Sequence, residues 1–219
     1  MKQITILLAE DHIMVRDGLR ALLDLQPDME VVAEAANGRE AVILARQLCP
    51  DVVLMDISMP VLNGLEATRQ ILRYLPLTRV LILSAHNEVA HVQQALALGV
   101  SGFLIKQTAA RNLPKAIRKI FLGEAFFSNV AFGRAHDLEE PALQIKAQRL
   151  TSREMEVLQM IAEGKANKET ASEMEISIKT VEKHRQKIME KLNIHNTASL
   201  TRHAIATGVI ECSVNLTIT

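Results

Sequence analysis

Val52-Val53-Leu54-Met55-Asp56-Ile57-Ser58-Met59-Pro60, followed by Asn63-Gly64, is the stretch on which the fold of this chain turns. Its first four residues are apolar and rich in β-branching, which suits a buried strand, and the run stops at a carboxylate. Similar short runs occur at Ile4–Ala9, Glu30–Ala33, Val80–Leu83 and Gly102–Ile105. Longer stretches with helical spacing lie between them. Val15, Leu19, Leu22 and Leu23 share one face, as do Ala41, Leu44, Ala45 and Leu48, and then Leu65, Ile71 and Leu72. Val92, Ala95 and Leu96, then Ile117, Ile120 and Phe121, complete the series. Strands alternating with helices predict an α/β domain, a parallel sheet covered by helices on both faces.

In such a sheet, function collects beyond the carboxyl ends of the strands. Glu10, Asp11, Asp56, Ser84 and Lys106 all sit at or just past a predicted strand end. In the flavodoxin-like strand order, strands one and three are neighbours, so Glu10, Asp11 and Asp56 converge. Carboxylates that close repel one another unless a cation lies among them, and their hard oxygens suit Mg²⁺. A phosphoryl group on Asp56 would need its charge neutralised on several oxygens. Mg²⁺ takes one, the Lys106 ammonium a second, and the Ser84 hydroxyl is suited to a third. Taken singly, the Asp and the Ser read as caps and the Lys as a solvated charge. Together they make a site for phosphoryl acceptance.

The bulk numbers agree with two globular domains. The chain has 219 residues, 48% hydrophobic and 23% charged. Its 25 basic and 25 acidic side chains cancel, so any nucleic-acid surface has to be local. Cys49 and Cys212 belong to no metal-binding cluster and read as reduced thiols of a cytoplasmic protein. No apolar run approaches the roughly 18 residues of a membrane span, and the first residues do not read as a signal peptide. Periodicity breaks from Gly123 to about Gln148, a predicted linker with a helical piece near Leu143–Gln148.

Beyond Leu150 everything is helical. Thr151 and Glu154 have capping-box spacing, and Gly164 ends the first helix. A short helix at Asn167–Met174, a turn near Ser177, a longer helix at Thr180–Leu192 and a fourth at Thr197–Thr207 predict a helix-turn-helix. From Ser177 to Arg202 there are six Lys or Arg against two acids, Glu182 and Glu190. That is the positive face phosphate binding requires. On helical phase Glu182, Lys183 and Gln186 face outward as candidates for base edges: Lys183 for guanine, Gln186 for adenine, Glu182 for cytosine. Lys168, Lys179, Thr180, Arg185 and Lys187 are candidates for phosphates.

Glu10-Asp11, Leu54 through Pro60 with Asn63-Gly64, Ser84-Ala85 and Ile105-Lys106 resemble the receiver domain of two-component response regulators over about residues 1–121. Leu150 through Glu154, Gly164, Asn167-Lys168, Ile178 through Val181, His184 and Lys191-Leu192 resemble the LuxR-type helix-turn-helix, with Thr170 where an aliphatic residue is usual. The whole chain resembles NarL/FixJ-type response regulators. This resemblance implies phosphoryl transfer to Asp56 from a sensor histidine kinase. It implies metal contacts from Asp11, Asp56 and the Ser58 carbonyl with Glu10 nearby, and a switch pair of Ser84 and Phe103. Glu10 stands where many receivers have a second Asp. The expected divisions are a receiver at 1–122, a linker at 123–147, a DNA-binding domain at 148–211 and a tail at 212–219. The expected function is a regulator of transcription, not an enzyme, that binds double-stranded DNA as a homodimer when Asp56 is phosphorylated. Unphosphorylated, the receiver is expected to hide the reading helix. Two rivals are an aspartyl-phosphate phosphotransferase, which usually carries a second Asp where Ser58 stands, and a signalling adaptor without DNA binding.

Overall fold

The computed structural model describes residues 3–85, 89–127 and 150–210. The chain divides into two compact units, Met1–Glu140 and Pro141–Thr219.

The first unit is built from β1 (Ile4–Ala9), α1 (Ile13–Asp24), β2 (Met29–Ala35), α2 (Gly38–Leu48), β3 (Val52–Asp56) and α3 (Gly64–Tyr74). β4 (Arg79–Ser84), α4 (Val89–Leu98), β5 (Gly102–Ile105), α5 (Lys106–Phe121) and β6 (Phe126–Phe127) follow. All strand pairs are parallel and the sheet order is β2-β1-β3-β4-β5-β6. Successive side chains of a strand point to opposite faces, and the two cores follow that alternation. Leu7, Ala9, Val53, Met55, Val80, Ile82 and Phe103 pack with α2, α3 and α4. Ile6, Leu8, Val52, Leu54, Leu81, Leu83 and Leu104 pack with α1 and α5.

One expectation needs correction. The predicted linker begins at Gly123, yet Phe126 and Phe127 pair with Gly102 and Phe103 as a sixth strand. A two-residue strand has no periodicity to read, and only β5 beside it defines it. Val15, Leu48, Leu96 and Phe121 share the apolar faces of their helices but are at least a third exposed, because each lies at the rim of its stripe. The predicted helical piece near 143–148 and the 212–219 tail fall outside the described residues.

The second unit holds α6 (Ser152–Ala162), α7 (Asn167–Glu173), α8 (Ile178–Leu192) and α9 (Thr197–Ala206). Its helix ends are chemically specified. Thr151 and Glu154 form a reciprocal capping box on α6, Ser177 caps α8 and Asn196 caps α9. Val157, Leu158, Ile161, Val181, Ile188, Leu200 and Ala204 form the buried interior. Lys191 Nζ lies 2.6 Å from Glu154 Oε2 and ties the end of α8 to the start of α6. Among the described residues no helix is long and apolar enough to cross a membrane.

Candidate functional site

Strand register sets the first site. Ala9 lies opposite Met55, Asp56 opposite Leu83, and Ser84 opposite Ile105. Glu10, Asp56, Ser84 and Lys106 therefore stand in a rank along the carboxyl edge of the sheet. Glu10, Asp56 and Ser84 are buried, and Lys106 is 17% exposed. Lys106 Nζ lies 2.9 Å from Asp56 Oδ1 and 2.8 Å from Glu10 Oε2, bridging the two acids.

The electrostatics follow from this packing. Burial pushes the Asp56 carboxyl up to about 6, Glu10 and Asp11 reinforce the rise, and Lys106 opposes it. Burial works against the Lys106 charge, but Asp56 and Glu10 outweigh it and hold the ammonium above its ordinary value. Asp56 Oδ2 is buried without a hydrogen-bond partner among the described residues. One ligand atom from each of Glu10, Asp11, His12 and Asp56 fits within a span of 4.8 Å. A buried carboxylate oxygen left without a donor, in a group of oxygens this compact, fits a divalent cation.

Neighbouring residues hold the edge in shape. Arg16 Nη1 donates to the Glu10 carbonyl at 2.7 Å, and its Nε donates to Glu34 of β2 at 3.2 Å. This clamp fixes the turn that carries Glu10 and Asp11. Gly64 opens α3 with its N–H on the Ile57 carbonyl at 2.8 Å, and a Cβ there would lie 1.8 Å from the Asp56 carbonyl oxygen. Only glycine allows that approach. Ser58 lies partly buried in the loop after Asp56, and the Phe103 ring is fully buried in the core.

Sequence reasoning missed two residues here. Arg16 acts on Glu34 from 18 positions away, a pairing no local spacing reveals. His12 Nδ1 lies 2.9 Å from Asp11 Oδ1 and 3.3 Å from Glu10 Oε1. Its adjacency to the acid pair was the available signal.

The second candidate surface is α8. Lys179, Glu182, Lys183, Gln186 and Lys187 are exposed, Thr180 is partly buried, and Lys168 is exposed on α7. Gln186 Nε2 donates to Glu190 Oε1 at 2.9 Å. Arg185 differs from its neighbours. Its guanidinium donates to Asn167 Oδ1 at 3.2 Å and Thr197 Oγ1 at 3.0 Å, so it braces the start of α7 and of α9 against α8.

Comparison with known proteins accounts for both units. The profile of the response regulator receiver domain matches residues 6–118, and that of the bacterial regulatory proteins of the luxR family matches residues 148–204. The response regulator protein VraR of Staphylococcus aureus is 38% identical over 208 residues, spanning 95% of this chain and 99% of that protein. The RcsB response regulator of Salmonella typhimurium superposes with a TM-score of 0.58 at 27% identity, covering 94% of this chain and 100% of that one. An RcsB–DNA complex gives a TM-score of 0.60 at 26% identity, over 94% and 99% of the two chains.

Proposed function

The chain belongs to the two-component response regulators with a luxR-type output domain, and from that premise we propose that a phosphoryl group on Asp56 controls DNA binding through α8. The observation that carries this reading is the Lys106 ammonium 2.9 Å from Asp56 Oδ1, with Asp56 Oδ2 left unpartnered among the described residues beside Glu10 and Asp11. The donor is a phosphohistidine of a sensor kinase. Its N–P bond breaks as an Asp56 oxygen forms the new O–P bond, and the imidazole leaves with the electron pair. Glu10, Asp11, Asp56 and the Ser58 carbonyl would hold Mg²⁺, which supplies charge neutralisation at the phosphoryl oxygens. Lys106 neutralises a further oxygen, and Ser84 donates its hydroxyl to another. The Ser84 hydroxyl moves toward the phosphoryl group, and Phe103, fully buried on the adjacent strand β5, is its partner in the switch.

The output is recognition of double-stranded DNA in the cytoplasm and regulation of transcription. Lys168, Lys179, Thr180 and Lys187 meet phosphates. Glu182, Lys183 and Gln186 address base edges from the exposed side of α8. Arg185 adds a phosphate contact with donors its bracing role leaves spare. Phosphorylation favours a homodimer on two half-sites and exposure of the DNA-binding domain at 148–211, the receiver running to β6 at Phe127 and a tail following at 212–219. RcsB, solved as dimers bound to DNA, supports that assembly.

The test is direct. The purified chain is incubated with a small phosphodonor and Mg²⁺, and phosphate on the protein is measured by mobility shift and mass. Wild type gains one hydroxylamine-sensitive acyl phosphate and Asp56→Asn gains none. Equal labelling of both proteins contradicts the assignment.

A further inference from the structure

We propose that the segment from Glu34 to Gly38, at the end of β2 and the start of α2, positions the two loops of the cation site at Asp56 relative to each other. The inference rests on the reading of Glu10, Asp11 and Asp56 as that site, a group that among the described residues includes no side chain of the segment. On one side the segment holds the turn after β1. The Glu10 N–H donates to the Ala35 carbonyl at 3.0 Å, and the Glu10 carbonyl accepts from Arg16 Nη1 at 2.7 Å. Arg16 is itself anchored on Glu34 at 3.2 Å, so both peptide groups flanking Glu10 hang from the end of β2. Arg20 donates to the other Glu34 oxygen and holds that carboxylate in place. On the other side the segment holds the loop after β3. The Gly38 N–H donates to the Leu62 carbonyl at 3.1 Å, and a Cβ at Gly38 would lie 2.1 Å from that oxygen. The loop so held includes Ser58 and the left-handed Val61, a conformation that persists only where the surroundings impose it. The segment is itself well specified. Asn37 caps α2 by accepting from the Glu40 N–H at 2.9 Å, and Glu40 Oε2 accepts from the Ala36 N–H at 2.8 Å.

A cation shared by groups on two loops is held well only while the loops keep their separation, and partners behind the ligands set that geometry. Position and charge act in opposite directions at Arg16. It is a cation near the acids, so by charge alone its removal would strengthen the hold on Mg²⁺. As the anchor of the Glu10 peptide, its removal loosens the turn and weakens that hold. The sign of the change identifies the role. Arg16→Lys isolates the geometry, because it keeps the charge but gives up the planar fork that reaches the Glu10 carbonyl and Glu34 together.

Mg²⁺ binding to the full chain tests this. MgCl₂ is titrated calorimetrically into wild type, Arg16→Ala, Arg16→Lys and Gly38→Ala, and circular dichroism in chelator records fold and melting temperature. Asp56→Asn identifies ions bound elsewhere. Arg118→Ala is the control for stability alone. It removes a bidentate pair with Asp28, at the opposite end of β2 and about 20 Å from Glu34 by strand rise. Mg²⁺ affinity should fall about tenfold or more in Arg16→Ala and Gly38→Ala, as for other lost metal-site partners. In Arg118→Ala it should hold within about twofold, because distant sites act independently. Arg16→Lys should also fall beyond the range of the control, and it carries the test if the other two variants do not fold. The Mg²⁺ concentration for half-maximal labelling by phosphodonor should rise in step with each loss, while the labelling rate at saturating Mg²⁺ is kept. Tighter binding in Arg16→Ala, unchanged affinity in Arg16→Lys and Gly38→Ala, or an equal loss in Arg118→Ala overturns the positioning role and leaves the cation site standing. Failure of Mg²⁺ to bind wild type overturns the site and the inference together.

Discussion

Asp56 carries a measurable cost. Burial raises its carboxyl to about 6 from an ordinary 3.8, so the folded protein binds this proton more tightly than the unfolded chain does. The associated stability is fully present below the ordinary value and is lost as pH rises through the folded one, roughly 3 kcal/mol in all. In chelator above pH 7, Asp56→Asn should therefore be the more stable protein by that order, and the gap should close toward pH 4. Urea unfolding across this range measures it, and a gap independent of pH contradicts the account. Mg²⁺ should narrow the gap at neutral pH by binding native wild type alone. A second cost lies in the loop that follows. Val61 has φ of 69°, a left-handed conformation that β-branched residues resist. Val61→Asn should raise stability by about 1 kcal/mol in the same experiment, and a lower melting point would show that Val packing there outweighs the strain.

At the scale of elements, the legible parts were those with a local period. β1, β3, β4 and β5 are apolar runs of buried residues, and helices with an apolar stripe are as easily read. Strand ends then point to Glu10, Asp56, Ser84 and Lys106, because topology alone converts a strand end into a site. What stayed hidden was made by distance or by brevity. Phe126–Phe127 is too short for a pattern, and the Arg16–Glu34 clamp and the Arg185 brace join residues that only the fold brings together. Helix α8 gives the prediction at this scale. On a duplex recovered by selection, Lys179→Ala should weaken binding to all sequences and reduce the slope of log affinity against log salt by about 0.9. Lys183→Ala should instead relax preference at one base pair, by about 1–3 kcal/mol. Arg185→Ala should lower the melting temperature of the second unit, because it removes the brace on α7 and α9. Anisotropy over a salt series distinguishes the first two, and parallel loss in both variants would contradict the division into phosphate and base contacts.

For the whole molecule, the claim is that chemistry at the edge of one sheet governs a helix in another unit. The two units have separate cores and separate capping signals, so neither needs the other's contacts to be specified. Coupling between them is a difference in free energy between two arrangements, which phosphorylation shifts by favouring one. Couplings of this kind are typically worth about 1–3 kcal/mol, or roughly 5- to 150-fold in affinity. The most direct measurement is affinity of the full chain for its selected duplex, at fixed salt, with and without phosphodonor and Mg²⁺, for wild type beside Asp56→Asn. Phosphodonor should tighten binding of wild type by about tenfold or more and leave Asp56→Asn unchanged. Equal affinity of phosphorylated and unphosphorylated wild type would contradict it.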